Sequence, residues 1–232
     1  MTLWETLARA RTASGDDIVL RQRGEIYEIR YNGIELMSNL NYQSEIQLAM
    51  RSMRRLDFQA RRVLIGGLGL GYSLRALLDL SAPETEVTVC EIIPEVVMWN
   101  QGQLAHLAGS PLDDPRSRLV IGDVRDHLAS SMGRYDLILL DTDNGPDFVV
   151  RPENEGLYQD RGIAEVAEAL TPRGIAAFWS ATASRRFEST LSRYPWMWIR
   201  EDIPLVPGRV DAMHHIYSCA FDAQILGLRQ AS

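Results

Sequence analysis

One stretch, residues 62–91, constrains the fold more than any other part of this chain. It reads RVLIGGLGLGYSLRALLDLSAPETEVTVCE. A short apolar run, Val63–Ile65, leads into a glycine-rich loop. Leucines then recur at helical spacing, and a second alternating apolar run ends at Glu91. This order predicts a strand, a glycine turn, a helix, a second strand and an acid at its end.

The same stretch has the features of a nucleoside-binding site. Glycines let the backbone approach a ligand closely, and the helix that begins there presents unpaired N–H groups. Glu91 follows Gly69 by 22 residues, close to the spacing of about 20 at which an acid accepts hydrogen bonds from ribose hydroxyls. The alternative is that the glycines serve only a tight turn. The residues predicted to bind the cofactor here are Gly66, Gly67, Gly69, Gly71 and Glu91.

The second part of the chain continues to alternate strands and helices. The segment YDLILLD, residues 135–141, is apolar enough to be a strand buried on both faces. Alternation of this kind predicts an α/β fold with a mostly parallel, doubly wound, Rossmann-like sheet. The last strand, at about 215–221, follows another strand, so we expect it to insert antiparallel.

Three acidic segments follow successive strands of this predicted sheet. Ligands of such sheets bind beyond the carboxyl ends of the strands. Glu91, Asp123 and Asp141–Asp143 should therefore meet the glycine loop in one crevice. The polar residues up to about 154 are expected to form a lid over it.

The N-terminal part has a different pattern. Residues 18–38 alternate apolar and polar and contain Asn32-Gly33, a strong hairpin signal, which predicts about three antiparallel strands. A short amphipathic helix is expected at 3–10 and a longer helix at 42–56. We divide the chain into a small β appendage with its linking helix, residues 1–58, and a Rossmann-like domain, residues 59–232.

Composition excludes several classes of protein and of chemistry. A net charge of −7 argues against nucleic-acid binding. No apolar run reaches the roughly 18 residues of a membrane span, and residues 1–17 lack a signal-type apolar core, so we expect a cytoplasmic protein. Cys90 and Cys219 lie in strand-like segments and predict buried thiols without a metal site. All 24 basic residues are arginine, which excludes a catalytic lysine.

Together these motifs resemble those of the polyamine aminopropyltransferases, the spermidine synthase family. The resemblance covers about residues 25–222 and implies a class I methyltransferase fold that uses decarboxylated S-adenosylmethionine. The motifs that carry it are Tyr42-Gln43, VLIGGLGLG, VCEIIPEVV, GDV at 122–124, YDLILLDTDNGP, Leu157-Tyr158 and IPLVPG at 203–208.

The resemblance implies a role for each matching residue. Glu91 would bind the ribose hydroxyls and Asp123 the adenine amino group, with Gln43, Ile92 and Val124 also on the cofactor. Asp141 would be the base near an attacking amine. Asp143 and Tyr42 would bind the amine substrate, although Asp143 has the alternative role of capping the turn that follows it. The resemblance also implies a homodimer formed through the appendage.

The sequence departs from the family at the amine end. Where the family's glycine loop holds an aspartate that contacts the cofactor's free amine, this chain has Gly69 and Leu70. Leu36 and Val206 also replace a family glutamine and tyrosine. Three functions stay open: aminopropyl transfer to a small amine such as putrescine, which we favour, methyl transfer from S-adenosylmethionine to an unknown acceptor, and non-catalytic binding of an adenosyl nucleoside.

Overall fold

The structure, a computed structural model, describes residues 2–12, 14–205 and 212–228. The small N-terminal sheet consists of β1 (Glu5–Arg11), β2 (Asp17–Arg23), β3 (Ile26–Tyr31) and β4 (Ile34–Ser38). The large sheet consists of β5 (Arg62–Gly66), β6 (Glu86–Glu91), β7 (Ser117–Ile121), β8 (Tyr135–Leu140), β9 (Leu170–Ser180), β10 (Met197–Pro204) and β11 (Met213–Ala220). The α-helices are α1 (Gln43–Arg55), α2 (Tyr72–Leu80), α3 (Pro94–Gln101), α4 (Val124–Ala129), α5 (Asp160–Ala169) and α6 (Arg185–Leu191).

The large sheet confirms the predicted architecture. Its strand order is β10-β11-β9-β8-β5-β6-β7. The pairs formed among β5 to β9 are parallel, whereas β11 runs antiparallel to both β9 and β10, as expected for the last strand. The chain order reverses between β5 and β8, and this switch point opens a crevice at the carboxyl ends of the strands.

The core lies on both faces of this sheet. Val63, Leu64 and Ile65 of β5 are fully buried, as are the four residues Leu137–Leu140 of β8. Such continuous apolar strands are typical of a parallel sheet covered by helices on both sides. Cys90 and Cys219 are buried free thiols, as predicted.

The N-terminal sheet has four strands, and the helix predicted at 3–10 is wrong. Those residues form most of β1, which pairs antiparallel with β2 from Glu5 opposite Gln22 to Arg11 opposite Asp17. An isolated helix this short is marginal in water, whereas the edge of β2 offers hydrogen-bond partners at every second residue. The predicted strands at 18–38 are confirmed. The domain boundary between 58 and 59 stays a prediction.

The small sheet forms one wall of the crevice. Its buried residues Leu20 and Ile29 belong to the same apolar cluster as Leu70 of the glycine loop and Trp99 of α3. This packing brings β4 over the carboxyl ends of the large sheet. Within the described ranges, no helix is long and apolar enough to cross a bilayer. The end of the predicted proline-rich loop, including Val206, lies outside the described residues.

Gly67 lets the glycine loop lie directly against the end of β8. Its φ is +93°, and a Cβ atom there would overlap the backbone carbonyl oxygen of Asp141. The Gly67 N–H donates to the Cys90 carbonyl at 2.9 Å, and the Asp141 N–H donates to the Gly66 carbonyl at 2.9 Å. These two bonds fix the ends of β5, β6 and β8 relative to one another.

We expect Gly67→Ala to destabilise the fold by clearly more than the about 1 kcal/mol that positive φ alone costs an alanine. Gly133→Ala is the matched control, because Gly133 also has a positive φ, +59°, but nothing lies within 4 Å of its added Cβ. Urea unfolding of the two variants measures the difference. Equal losses would show that the contact with Asp141 does not constrain the loop.

Candidate active site

Two adjoining cavities make up the crevice. The first, the Glu91 cavity, is bordered by the glycine loop, the end of β6 and the segment that begins α4. The second, the Asp141 cavity, has a volume of about 360 Å³ and reaches from the glycine loop to α1 and the ends of β8, β9 and β11. Five residues line both cavities: Leu36, Met37, Gly69, Asp141 and Thr142.

Glu91 is held rigidly at the end of β6. Its carboxylate is buried and accepts hydrogen bonds from the Leu68 N–H at 3.0 Å and the Ile93 N–H at 2.8 Å. Burial raises the pKa of Glu91, and these backbone donors oppose that rise. Each carboxylate oxygen retains further acceptor capacity, so the group is suited to two hydroxyl donors.

Asp123 lies across the same cavity at the start of α4. Its Oδ1 accepts from the Arg125 N–H at 2.8 Å, which is an N-cap interaction. The residues predicted to bind the cofactor that line the Glu91 cavity are Gly67, Gly69, Glu91, Ile92, Asp123 and Val124. The cap interaction therefore occupies Oδ1 of Asp123, while the position of this residue in the lining fits a ligand contact.

The Asp141 cavity contains two neighbouring carboxylates. The Ser73 hydroxyl donates to Asp141 Oδ2 at 3.2 Å, and the Ser44 hydroxyl donates to Glu45 Oε2 at 2.7 Å. Burial raises the pKa of Asp141 to about 6. Burial, and after it the charge of Asp141, raises the pKa of Glu45 to about 8. The site thus disfavours two ionised carboxylates.

No arginine is found among the described residues that line the Asp141 cavity. His214 is partly buried beside Ser44, with its Nδ1 at 2.9 Å from the hydroxyl oxygen. Burial lowers the pKa of His214 to about 4, so its ring is neutral near pH 7. The His214 ring packs edge-on against the Trp179 ring, with 4.6 Å between the ring centroids. The cavity is therefore lined by both acidic and aromatic side chains, a combination that suits an organic cation.

Asp143 is occupied within its own loop. Its Oδ1 accepts from the N–H groups of Asn144 at 2.8 Å and Val150 at 2.6 Å. Its Oδ2 accepts from the Arg151 N–H at 3.1 Å and the Asn154 side-chain amide at 2.8 Å. These four bonds match the turn-capping alternative. Asp143 lines the cavity, but it chiefly anchors residues 142–154 over the site.

Four other predicted site residues lie outside the lining of both cavities. Tyr42 precedes α1 and stacks on Tyr72 at 4.3 Å, while Gln43 is exposed. Gly66 packs against Leu140, and Gly71 is the N-cap residue of α2. We therefore leave these four out of the proposed ligand contacts.

The structure adds residues that the sequence motifs did not indicate. Glu45 and Ser73 face the Asp141 cavity from the first turns of α1 and α2. Trp179 and His214 reach it from β9 and β11, whose pairing no local pattern reveals. Helical spacing from Tyr42 was the one available signal for Glu45. Among the described residues, no group of His, Cys, Asp or Glu is arranged to hold a metal ion.

The fold is of the class I methyltransferase-like type. Its defining features are the strand order, the glycine loop after β5 and Glu91 at the end of β6. Solved structures agree. A spermidine synthase in complex with the transition state analogue AdoDATO superposes with a TM-score of 0.78 at 16% identity, over 96% of this chain and 75% of that one. The spermidine synthase of Thermotoga maritima superposes with a TM-score of 0.74 at 16% identity and the same coverage.

Residues 42–186 match the spermine/spermidine synthase domain, and the chain belongs to that family. A polyamine aminopropyltransferase of Ruegeria sp. is 34% identical over 118 residues, which cover 50% of this chain and 39% of the relative. Polyamine aminopropyltransferase 2 of Caldanaerobacter subterraneus is 33% identical over 135 residues, which cover 57% of this chain and 44% of the relative. The chain thus spans less than half the length of these curated relatives.

The raised pKa of Glu45 predicts how stability depends on pH. In the unfolded chain this carboxyl ionises near its ordinary value of 4.5, whereas in the folded protein it keeps its proton up to about pH 8. Because the folded state binds more protons in that window, Glu45 makes the ligand-free protein less stable as pH rises through it. Glu45→Gln should therefore gain stability over the wild type between about pH 5 and pH 8, by about 1 kcal/mol or more.

Urea unfolding at both pH values measures this difference. Glu168→Gln, which removes the same charge from an exposed position on α5, should show a nearly constant offset from the wild type. A constant offset for Glu45→Gln as well would contradict the raised pKa.

Proposed function

We propose that this protein transfers an aminopropyl group from decarboxylated S-adenosylmethionine to a small amine such as putrescine. The observation that carries the proposal is the place of Asp141, which borders both cavities and has the raised pKa of a proton acceptor, with no basic partner among the described residues. Family membership supports it, because the curated relatives are named polyamine aminopropyltransferases. A structural neighbour at 16% identity holds a transition state analogue.

In this proposal the adenosine end occupies the Glu91 cavity. Glu91 accepts hydrogen bonds from the ribose hydroxyls and Asp123 from the adenine amino group, while Gly67, Gly69, Ile92 and Val124 supply the walls. Arg151 and Asn154 of the loop line this cavity, whose volume is only about 50 Å³. Typical ligand pockets begin at about 300 Å³, so residues 142–154 must move outward for a nucleoside to enter.

The chemistry needs little beyond positioning and one proton acceptor. The acceptor amine, with a pKa near 10 like that of lysine, must lose a proton to expose its lone pair. Asp141 takes that proton. The nitrogen then attacks the aminopropyl carbon attached to the sulfonium, the new C–N bond forms as the C–S bond breaks, and sulfur keeps the electron pair. The products are an aminopropylated amine and neutral methylthioadenosine, and no metal is required. Alignment of the two reactants supplies most of the remaining acceleration.

Methyl transfer from S-adenosylmethionine is the second candidate. The glycine loop favours it, since Gly69 and Leu70 offer no acid to a donor's free amine. The Asp141 cavity opposes it, because the carboxylate of S-adenosylmethionine would enter beside Glu45 and Asp141 with no arginine in the described lining. Near pH 7 Asp141 is the ionised member of this pair, and its charge repels a ligand carboxylate in the site. The predicted homodimer and cytoplasmic location rest on the resemblance and the composition, and both stay predictions.

Product analysis tests the proposal. The protein is incubated with putrescine and either decarboxylated S-adenosylmethionine or S-adenosylmethionine, and the amines and nucleosides are identified by mass spectrometry. We expect an aminopropylated amine and methylthioadenosine from the first donor alone. Methylated product from the second donor would replace the proposal by methyl transfer. Binding of the nucleosides without either product would leave a non-catalytic binding protein.

Asp141→Asn should lower turnover by about 10²- to 10⁴-fold, the usual contribution of a general base. The amide retains the size of the carboxylate and its contact with Ser73 but cannot accept the amine proton. Binding of methylthioadenosine, followed by thermal shift, should be nearly unchanged. Asp126→Asn, at an exposed position on α4, is the control and should retain full turnover. Wild-type turnover in Asp141→Asn would remove Asp141 from its role.

A further inference from the structure

We propose that Glu45 is the residue that selects the substrates by charge: it binds a primary alkylammonium group at a distance from the reacting nitrogen. This inference rests on the proposed function and identifies a residue that the family motifs do not indicate. It makes α1, rather than the glycine loop, the source of the second carboxylate in the site.

The position of Glu45 supports this role. It lies in the first turn of α1, which packs along α2. The Ser73 hydroxyl oxygen is 3.2 Å from Asp141 Oδ2 and 3.4 Å from the backbone carbonyl oxygen of Glu45, so one side chain contacts both residues. Ser44 orients the Glu45 carboxylate from the other side. Both acids therefore face one cavity while each is held by a neutral hydroxyl and by no cation among its described partners.

A side chain at position 69 of the glycine loop would require Met37 to shift. Gly69 has a φ of +57°, and a Cβ atom there would lie 3.1 Å from the sulfur of Met37 and 3.5 Å from its methyl carbon. Met37 of β4 thus fills the space next to the loop that a side chain at position 69 would need. The charge that the loop lacks is supplied from α1 by Glu45, which lines the same cavity as Gly69 and Met37.

The surroundings of Glu45 favour a cationic nitrogen over other ligands. An enclosed carboxylate without a positive partner is unfavourable, and a charge-assisted hydrogen bond from an ammonium relieves that cost. His214 is the one histidine in the described lining, and burial keeps it neutral. A ligand carboxylate would instead meet two acids. When the donor supplies the ammonium, Glu45 therefore favours decarboxylated S-adenosylmethionine over S-adenosylmethionine, which carries one more carboxylate.

The ammonium can come from either substrate, and the experiment separates the two sources. Glu45→Gln keeps the size of the side chain and its contact with Ser44 but removes the charge. Glu168→Gln, on the exposed side of α5, is the matched control. For the donor, affinities of decarboxylated S-adenosylmethionine and of methylthioadenosine, which lacks the amine, are measured by titration calorimetry. For the acceptor, KM values of putrescine and of butylamine, which lacks the second amine, are measured with saturating donor.

If the donor supplies the ammonium, Glu45→Gln should weaken decarboxylated S-adenosylmethionine by about 10- to 100-fold and leave methylthioadenosine unchanged. If the acceptor supplies it, the KM of putrescine should rise by a similar factor while that of butylamine stays constant. In either case Glu168→Gln should behave as the wild type.

Equal losses for ligands with and without the amine would show that Glu45 acts only structurally, and no loss at all would show that it does not act on the substrates. Both results would overturn the inference. A wild-type protein that makes no aminopropylated product would overturn the proposed function instead, so the two failures are distinguishable.

Discussion

The site depends on the close backbone contact between the glycine loop and the end of β8. Gly67 allows the loop to lie against the Asp141 carbonyl, and the flanking hydrogen bonds tie β5 to both β6 and β8. This contact places Glu91, at the end of β6, and Asp141, just after β8, on either side of one loop. A sheet without it would still bury its strands, but its two acids would not share a crevice.

From this arrangement follows a division of the crevice into two chemically different halves. The Glu91 half is bordered by backbone, by the rigid Glu91 carboxylate and by Asp123, which suits neutral hydroxyl and amino groups. In the Asp141 half, Glu45 and Asp141 lie near a neutral histidine and an indole, and Glu35 and Asp143 also line the cavity, which suits cationic nitrogen. In the proposed reaction a sulfonium donor with an amine arm would span both halves, because its adenosine is neutral and its remaining groups are cationic. The raised pKa of Asp141 fits a group that must accept a proton.

The sequence predicted the large sheet well, whereas it missed residues of the Asp141 half such as Glu45, for a physical reason. The site roles predicted for residues of the Glu91 half stay predictions. Glycines, strand periodicity and the acid after β6 are local signals, and each constrains the backbone at its own position. The Asp141 half is assembled from α1, α2, β9 and β11, which meet only in the folded chain. Asp143 was expected to bind the substrate, but four hydrogen bonds commit its carboxylate to the loop. Glu45 has no motif of its own. The helix predicted at 3–10 was wrong because its partner, the edge of β2, is a tertiary feature.

A crystal structure of the protein with methylthioadenosine and putrescine tests the central claim most directly, since that claim concerns where each half of the substrates lies. We expect both ribose hydroxyls to bind the Glu91 carboxylate and one putrescine nitrogen to lie within hydrogen-bond distance of Asp141. We also expect residues 142–154 to be displaced outward from the Glu91 cavity. A nucleoside bound away from Glu91, or an amine bound outside the Asp141 cavity, would contradict it.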